Sequence, residues 1–120
     1  EGLKALSARV LRAAPNEVPA LGMRAVVLSG FSGAWNVGPR SAAEFKEAAT
    51  HYDRSAALCD APAFKADFAS NAGWCRSEAD AKAARDISAT YMLHVLTRKV
   101  GCAQQACGKG RCPCTPRGCE

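Results

Sequence analysis

Aromatic residues are scarce in this chain. Its 120 residues include four Phe, two Tyr and two Trp, and much of the 48% hydrophobic content is alanine. Alanine favours helix but buries little surface, and a domain of this size hides only about 65% of the surface of its unfolded chain. The core is therefore expected to be thin and to benefit from cross-links. No run of 18 uncharged apolar residues occurs. The best stretch, Val18 to Val37, holds Arg24 and three glycines, so no transmembrane span is expected. There is no Cys-x-x-Cys pair and only two histidines, neither near the terminal cysteines. Those absences weigh against the common zinc sites and against a dithiol redox centre. No alternating apolar–polar segment competes as a strand, and no internal repeat is visible.

What is present is helical patterning. Leu3, Leu6, Val10 and Ala14 share one face of a first helix that Pro15 ends. Asn16 is placed as the cap of a second helix, with Pro19 in the first turn, where a missing N–H costs little. Val18, Leu21, Ala25 and Leu28 form its stripe, widened by Met23, Val26 and Val27. This element should be the most buried, and Gly30 and Gly33 should end it. Ser41-Ala-Ala-Glu44 is a capping box for a third helix, which carries Phe45, Ala48, Tyr52, Ala56 and Cys59 at helical spacing. Beyond Pro62, a short helix over residues 63–70 is expected, terminated at Asn71-Ala-Gly73. A last helix would then start at Ser77 and end at Gly101. Its acidic start (Glu78, Asp80) and basic end (Arg98, Lys99) suit the helix dipole. Its stripe is Ala84, Ile87, Tyr91 and Val95. His94, beside that stripe, reads as a core or boundary histidine. The fold class expected is all-α: a small bundle of about four main helices and one short one over residues 1–100. A basic, cysteine-rich, irregular tail would fill 101–120.

Seven cysteines are the main chemical signal. Cys59 and Cys75 flank the short helix, and a bond between them would staple the bend, worth about 3 kcal/mol in the chain-entropy account. Cys102, Cys107, Cys112, Cys114 and Cys119 lie in a tail with no large apolar residue after Val100, so burial cannot order it. Two disulfides with one cysteine left over are the first expectation, and the leftover thiol points to a possible intermolecular disulfide. A thiolate metal site on Cys107, Cys112, Cys114 and Cys119 is the alternative. The chain opens on Glu1 with no leader-like segment. With this cysteine content, the expectation is a secreted or organelle-lumen protein from which a leader has been removed.

Charge is concentrated at the same end. Of the net +5, +4 lies in residues 98–120, where Arg98, Lys99, Lys109, Arg111 and Arg117 face only Glu120. These five cations are the expected partner contacts, directed at a protein or an anionic surface. Sequence-specific nucleic-acid binding is not expected, because no aromatic interleaves with them.

Catalytic motifs are incomplete. Gly30-Phe-Ser-Gly33 lacks the Lys and Ser/Thr of a phosphate loop, and Ser29, Ser32 and Ser55 have no nucleophile-elbow context. Taken together, His51-Tyr52-Asp53, the Asp67 to Cys75 segment and Tyr91 make the stretch from Glu44 to Gly101 resemble small secreted microbial phospholipases A2, with Trp35-Asn-Val-Gly-Pro39 ahead of it standing in for their calcium loop. The resemblance covers about half the chain. It implies His51, Asp53 and Tyr91 as catalytic residues and Trp35 to Pro39 as a calcium loop. The sequence departs from that family where its His and Asp are adjacent and a cysteine precedes them, since Tyr52 intervenes here and alanines stand at 48 and 49. The reading that best fits the whole sequence is a non-catalytic binding or structural protein without a cofactor. It would be a disulfide-stapled component of a larger assembly, with lipid hydrolysis and thiolate metal binding as the alternatives.

Overall fold

A computed structural model describes residues 2–31 and 38–107, with side chains through Arg98. The fold is all-α. Four helices run in the order α1 (Leu3–Ala13), α2 (Val18–Ser29), α3 (Ala42–Leu58) and α4 (Pro62–Cys107), and there is no strand among the described residues. The chain divides into two compact units, one reaching Ala83 and the other starting at Ala84.

Local signals account for most helix ends. Ser41 Oγ accepts from the Glu44 backbone N–H at 3.1 Å, and a Glu44 carboxylate oxygen accepts from the Ser41 N–H at 2.8 Å. The capping box is thus closed in both directions. Pro19 stands at the second position of α2, as expected, but the cap is Glu17 and contributes no side-chain bond. Asn16 instead accepts a hydrogen bond from the Arg54 guanidinium. At the other end of α2, Gly30 takes the left-handed conformation at φ 67° and closes the helix by donating to the Val26 carbonyl at 2.7 Å.

The first unit packs α2 and α3 with the start of α4. As expected, α2 is deeply buried, with Leu21, Ala25 and Val27 fully covered. The central cluster joins Ala25 and Leu28 from α2, Ala48, Ala49 and Tyr52 from α3, and Ala72 and Cys75 from α4. Four of these seven are alanines, so the backbones approach closely and Tyr52 supplies the largest fully buried side chain. Its ring stacks on Phe68 with centroids 6.3 Å apart. Trp74 receives Phe31 and Phe45 edge-on, at 5.3 and 5.9 Å, an arrangement favoured by the ring quadrupoles.

Three expectations need correction. The short helix over 63–70 and the separate helix from Ser77 are one continuous element, and Gly101 does not end it. Phe68, Ala72, Cys75 and Ala79 occupy successive turns of a single core-facing stripe, so breaking the helix at Gly73 would expose them. Ser77 does not cap; its hydroxyl donates back to the Gly73 carbonyl at 3.3 Å. The staple between Cys59 and Cys75 is absent, and both are free thiols. Cys75 is fully buried in the central cluster, while Cys59 is the half-buried C-cap of α3. Finally, the expected stripe of the last helix is not a core face. Ile87 is 71% and Tyr91 67% exposed, and His94 is exposed as well.

Candidate functional site

Arg24 organises the polar side of the first unit. It sits at the middle of α2 with a largely covered side chain. Its guanidinium donates to the Lys4 carbonyl at 2.7 Å and the Ser7 hydroxyl at 3.2 Å on α1, and to Glu47 on α3 at 2.9 and 3.1 Å. Ser7 is itself buried and donates to the Lys4 carbonyl at 3.0 Å. One side chain therefore satisfies polar groups on two helices and fixes both against α2. Lys4 adds an ion pair to Glu44. Burial alone would raise the Glu44 carboxyl, but hydrogen bonds from Lys4 and the Ser41 backbone, with the Lys4 charge, hold it below its usual 4.5.

Around this clamp lies an open groove of about 340 Å³. Arg12, Arg24, Glu47, His51 and Arg54 contribute its polar lining. His51 Nε2 lies 3.3 Å from Glu47 Oε1. Asp53, two residues further on, is exposed and accepts a 2.7 Å hydrogen bond from Arg76 on α4. Residues i and i+2 occupy different faces of a helix, and His51 and Asp53 accordingly have different partners. Tyr91, the third residue implied by the lipase resemblance, belongs to the second unit. Within the first unit, the groove brings together three arginines and a histidine–glutamate contact.

A second polar group is sealed inside the core. Burial pushes the Cys75 thiol and the Tyr52 phenol up, an effect that Ser29 offsets in part for each. The Tyr52 hydroxyl is buried without a well-formed hydrogen bond among the described residues. These groups are held neutral and away from solvent, which suits packing and not thiolate chemistry.

The second unit carries the opposite kind of surface. Ile87, Tyr91, Met92, Leu93 and Leu96 fall within ten residues, and each exposes 61–71% of its surface. Val95 is half-buried, and Arg98 is exposed at the end of this stretch. Large apolar side chains at this density are normally covered in a folded protein. Helical periodicity makes the Ile87–Tyr91 side of this helix legible in the sequence, where it reads as the protein's own core; Leu93 and Leu96 lie on the opposite side and Met92 between the two, off that stripe. Among the described residues no group of three or more His, Cys, Asp or Glu could hold a metal ion. Lys99, Cys102 and Cys107 lie on the helical backbone of α4, beyond the described side chains. Lys109, Arg111, Cys112, Cys114, Arg117 and Cys119 are outside the described residues, as are positions 35–37 of the loop expected to resemble a calcium site. No helix of the described residues is long and apolar enough to cross a membrane.

No family model matches the sequence, and comparisons with curated proteins and with solved structures likewise give no match.

Proposed function

We propose that this protein is a non-catalytic binding or structural component of a larger assembly, and that the α4 segment 84–98 is its principal contact surface. The observation that carries this reading is the exposure of five large apolar side chains along that segment. Covering one such side chain stabilises an interface by roughly 1–2 kcal/mol before the costs of association. The five lie on more than one side of the helix, and a helix that is apolar on opposite sides is normally enclosed by its surroundings. The first unit suits a scaffold role: its polar groups are spent on joining α1, α2 and α3 through Arg24.

The cationic residues Arg98, Lys99, Lys109, Arg111 and Arg117 follow directly in sequence. In this reading they form a flanking contact for an acidic protein surface, adding rate and orientation more than affinity. Disulfides among the tail cysteines, and with them an oxidising compartment, belong to the same proposal. Intact mass of the unreduced protein tests that part, since each disulfide lowers the mass by about two hydrogens relative to free or metal-bound thiols.

The contact itself is tested by native size. The protein in a gentle extract of its own source should migrate well above its 12.6 kDa. Replacing Ile87, Tyr91, Met92, Leu93 and Leu96 by serine or glutamine should return it to monomer size. Wild-type protein migrating as a monomer, or a variant migrating with the wild type, would remove the reading.

A further inference from the structure

Two helix faces meet at the groove between α1 and α3, and their charges do not balance. On α1, Ala8, Leu11 and Arg12 share one face, and Pro15 continues it past the helix end. On α3, Glu47, His51 and Arg54 recur at helical spacing, also on one face. Glu47 is already spent, because it accepts from the Arg24 guanidinium at 2.9 and 3.1 Å. Arg12 and Arg54 have no such counter-charge: neither makes an ion pair among the described residues. Arg54 donates to Asn16, a neutral acceptor that holds the guanidinium in place without cancelling its charge. The remaining N–H donors of that guanidinium stay available to a ligand. Three arginines against one glutamate leave the lining with a net charge of +2, histidine being neutral.

We propose that this groove binds a phosphate monoester, its phosphate held by Arg12 and Arg54 and its ester group lying along the α1 wall. Charge selects the anion. A phosphate monoester carries about −1.5 to −2 at neutral pH and so matches the lining, whereas a single carboxylate would leave half of the charge uncompensated. Guanidinium forks also match the spacing of phosphate oxygens, and here they come from opposite walls of the groove. The apolar part follows from the α1 wall. Ala8 and Leu11 are half-buried and Pro15 is exposed, so an apolar group can cover them beside the cations. The volume of about 340 Å³ lies at the low end for small-molecule sites, roughly 300–1,000 Å³, and suits an ester group of one ring or a short chain. Both arginines are exposed, so water and salt screen the contact and the affinity is modest. The groove belongs to the first unit and uses no residue of 84–98. The inference therefore goes beyond the contact reading given above and fails or stands independently of it.

Amide NMR of the full chain titrated with phenyl phosphate tests the proposal. Saturable shifts in the millimolar range should centre on residues 8–15 and 47–54. Arg12→Gln and Arg54→Gln should each weaken binding by about 3- to 10-fold. Lys65→Gln removes a cation outside the groove lining and should change nothing. Asn16→Asp is the sharpest variant. Its carboxylate keeps the hydrogen bond to Arg54 but neutralises the guanidinium, so binding should weaken as it does for Arg54→Gln while Tm does not fall. All four variants replace exposed side chains, and unchanged shifts elsewhere in the spectrum verify that each is folded. Inorganic phosphate should bind more weakly than phenyl phosphate, and phenol should cause no saturable shift in the groove. The absence of saturation at about 20 mM phenyl phosphate, where a millimolar site is filled, overturns the proposal. So does an equal loss on Lys65→Gln, which would make the binding unspecific, or inorganic phosphate binding as tightly as the ester.

Discussion

The sharpest test of the fold is a pair of glycine substitutions with opposite expected signs. Gly73 lies inside α4, where Asn71-Ala-Gly73 resembles a helix terminator. Its φ is not positive, and a Cβ built there meets nothing within 4 Å. Alanine at a helix-interior position is favoured over glycine by roughly 0.5–1 kcal/mol, because glycine loses more backbone freedom on folding. For a unit of this size, 1 kcal/mol moves the melting temperature by about 4–8 °C, so Gly73→Ala should raise Tm by roughly 2–8 °C. Gly30 is the opposite case. Its φ is 67°, and a Cβ there would run into the Arg40 guanidinium. Gly30→Ala should lose about 1 kcal/mol for the left-handed conformation alone, more if Arg40 must move, and Tm should fall. Thermal melts followed at 222 nm read both signs. A lower Tm for Gly73→Ala would refute the continuous helix, since alanine is penalised at that position only if the chain turns there.

Four further outcomes follow from the packing and the titrating groups. Arg24→Ala should destabilise the first unit by roughly 1–2 kcal/mol in urea titrations, because the Ser7 hydroxyl and Glu47 lose their donor on the covered side of α2. Tyr52→Phe should be neutral or stabilising by up to about 1 kcal/mol, whereas Tyr52→Ala should lose about 3–5 kcal/mol with its stacking on Phe68. In native, reduced protein a maleimide should modify Cys59 and spare Cys75 until the chain unfolds; protection of both before reduction would indicate the disulfide that the structure lacks. Stability should fall at both ends of the pH range. Glu44, lowered by Lys4 and Ser41, contributes above its unfolded value of 4.5, and this is lost as pH drops through the folded value. Cys75 and Tyr52, raised by burial, contribute fully below 9.0 and 10.0 and lose this as pH climbs through their folded values. Glu44→Gln should flatten the acid arm and leave the alkaline arm in place.

Much of the fold was legible because its signals are local. The capping box at Ser41, the glycine stop at Gly30 and the burial of α2 each depend on a few neighbouring residues, and each is found. The break expected at Asn71-Gly73 was turn chemistry read without tertiary context. Ala72, Cys75 and Ala79 are small, so their stripe is faint in the sequence, yet it carries the helix through Gly73. The staple between Cys59 and Cys75 failed for a related reason: Cys75 packs as a small apolar group in that same stripe. In the sequence Arg24 is only a charge interrupting an apolar run. Its role depends on α1 and α3 meeting at α2, which no local pattern encodes. For Ile87 and Tyr91, periodicity reports an apolar helix face correctly, but the same pattern fits a face packed inside the chain and one left exposed, and only the structure shows these two to be exposed.

Hydrogen exchange tests the central claim most directly, by comparing the protein isolated in its native assembly with the same chain diluted to a monomer. Amides of residues 84–98 should exchange markedly more slowly in the assembled state, while those of 42–58 and 68–79 should be unchanged. Equal exchange of 84–98 in both states would mean that nothing covers this face, and the account of the protein as an assembly component would be wrong.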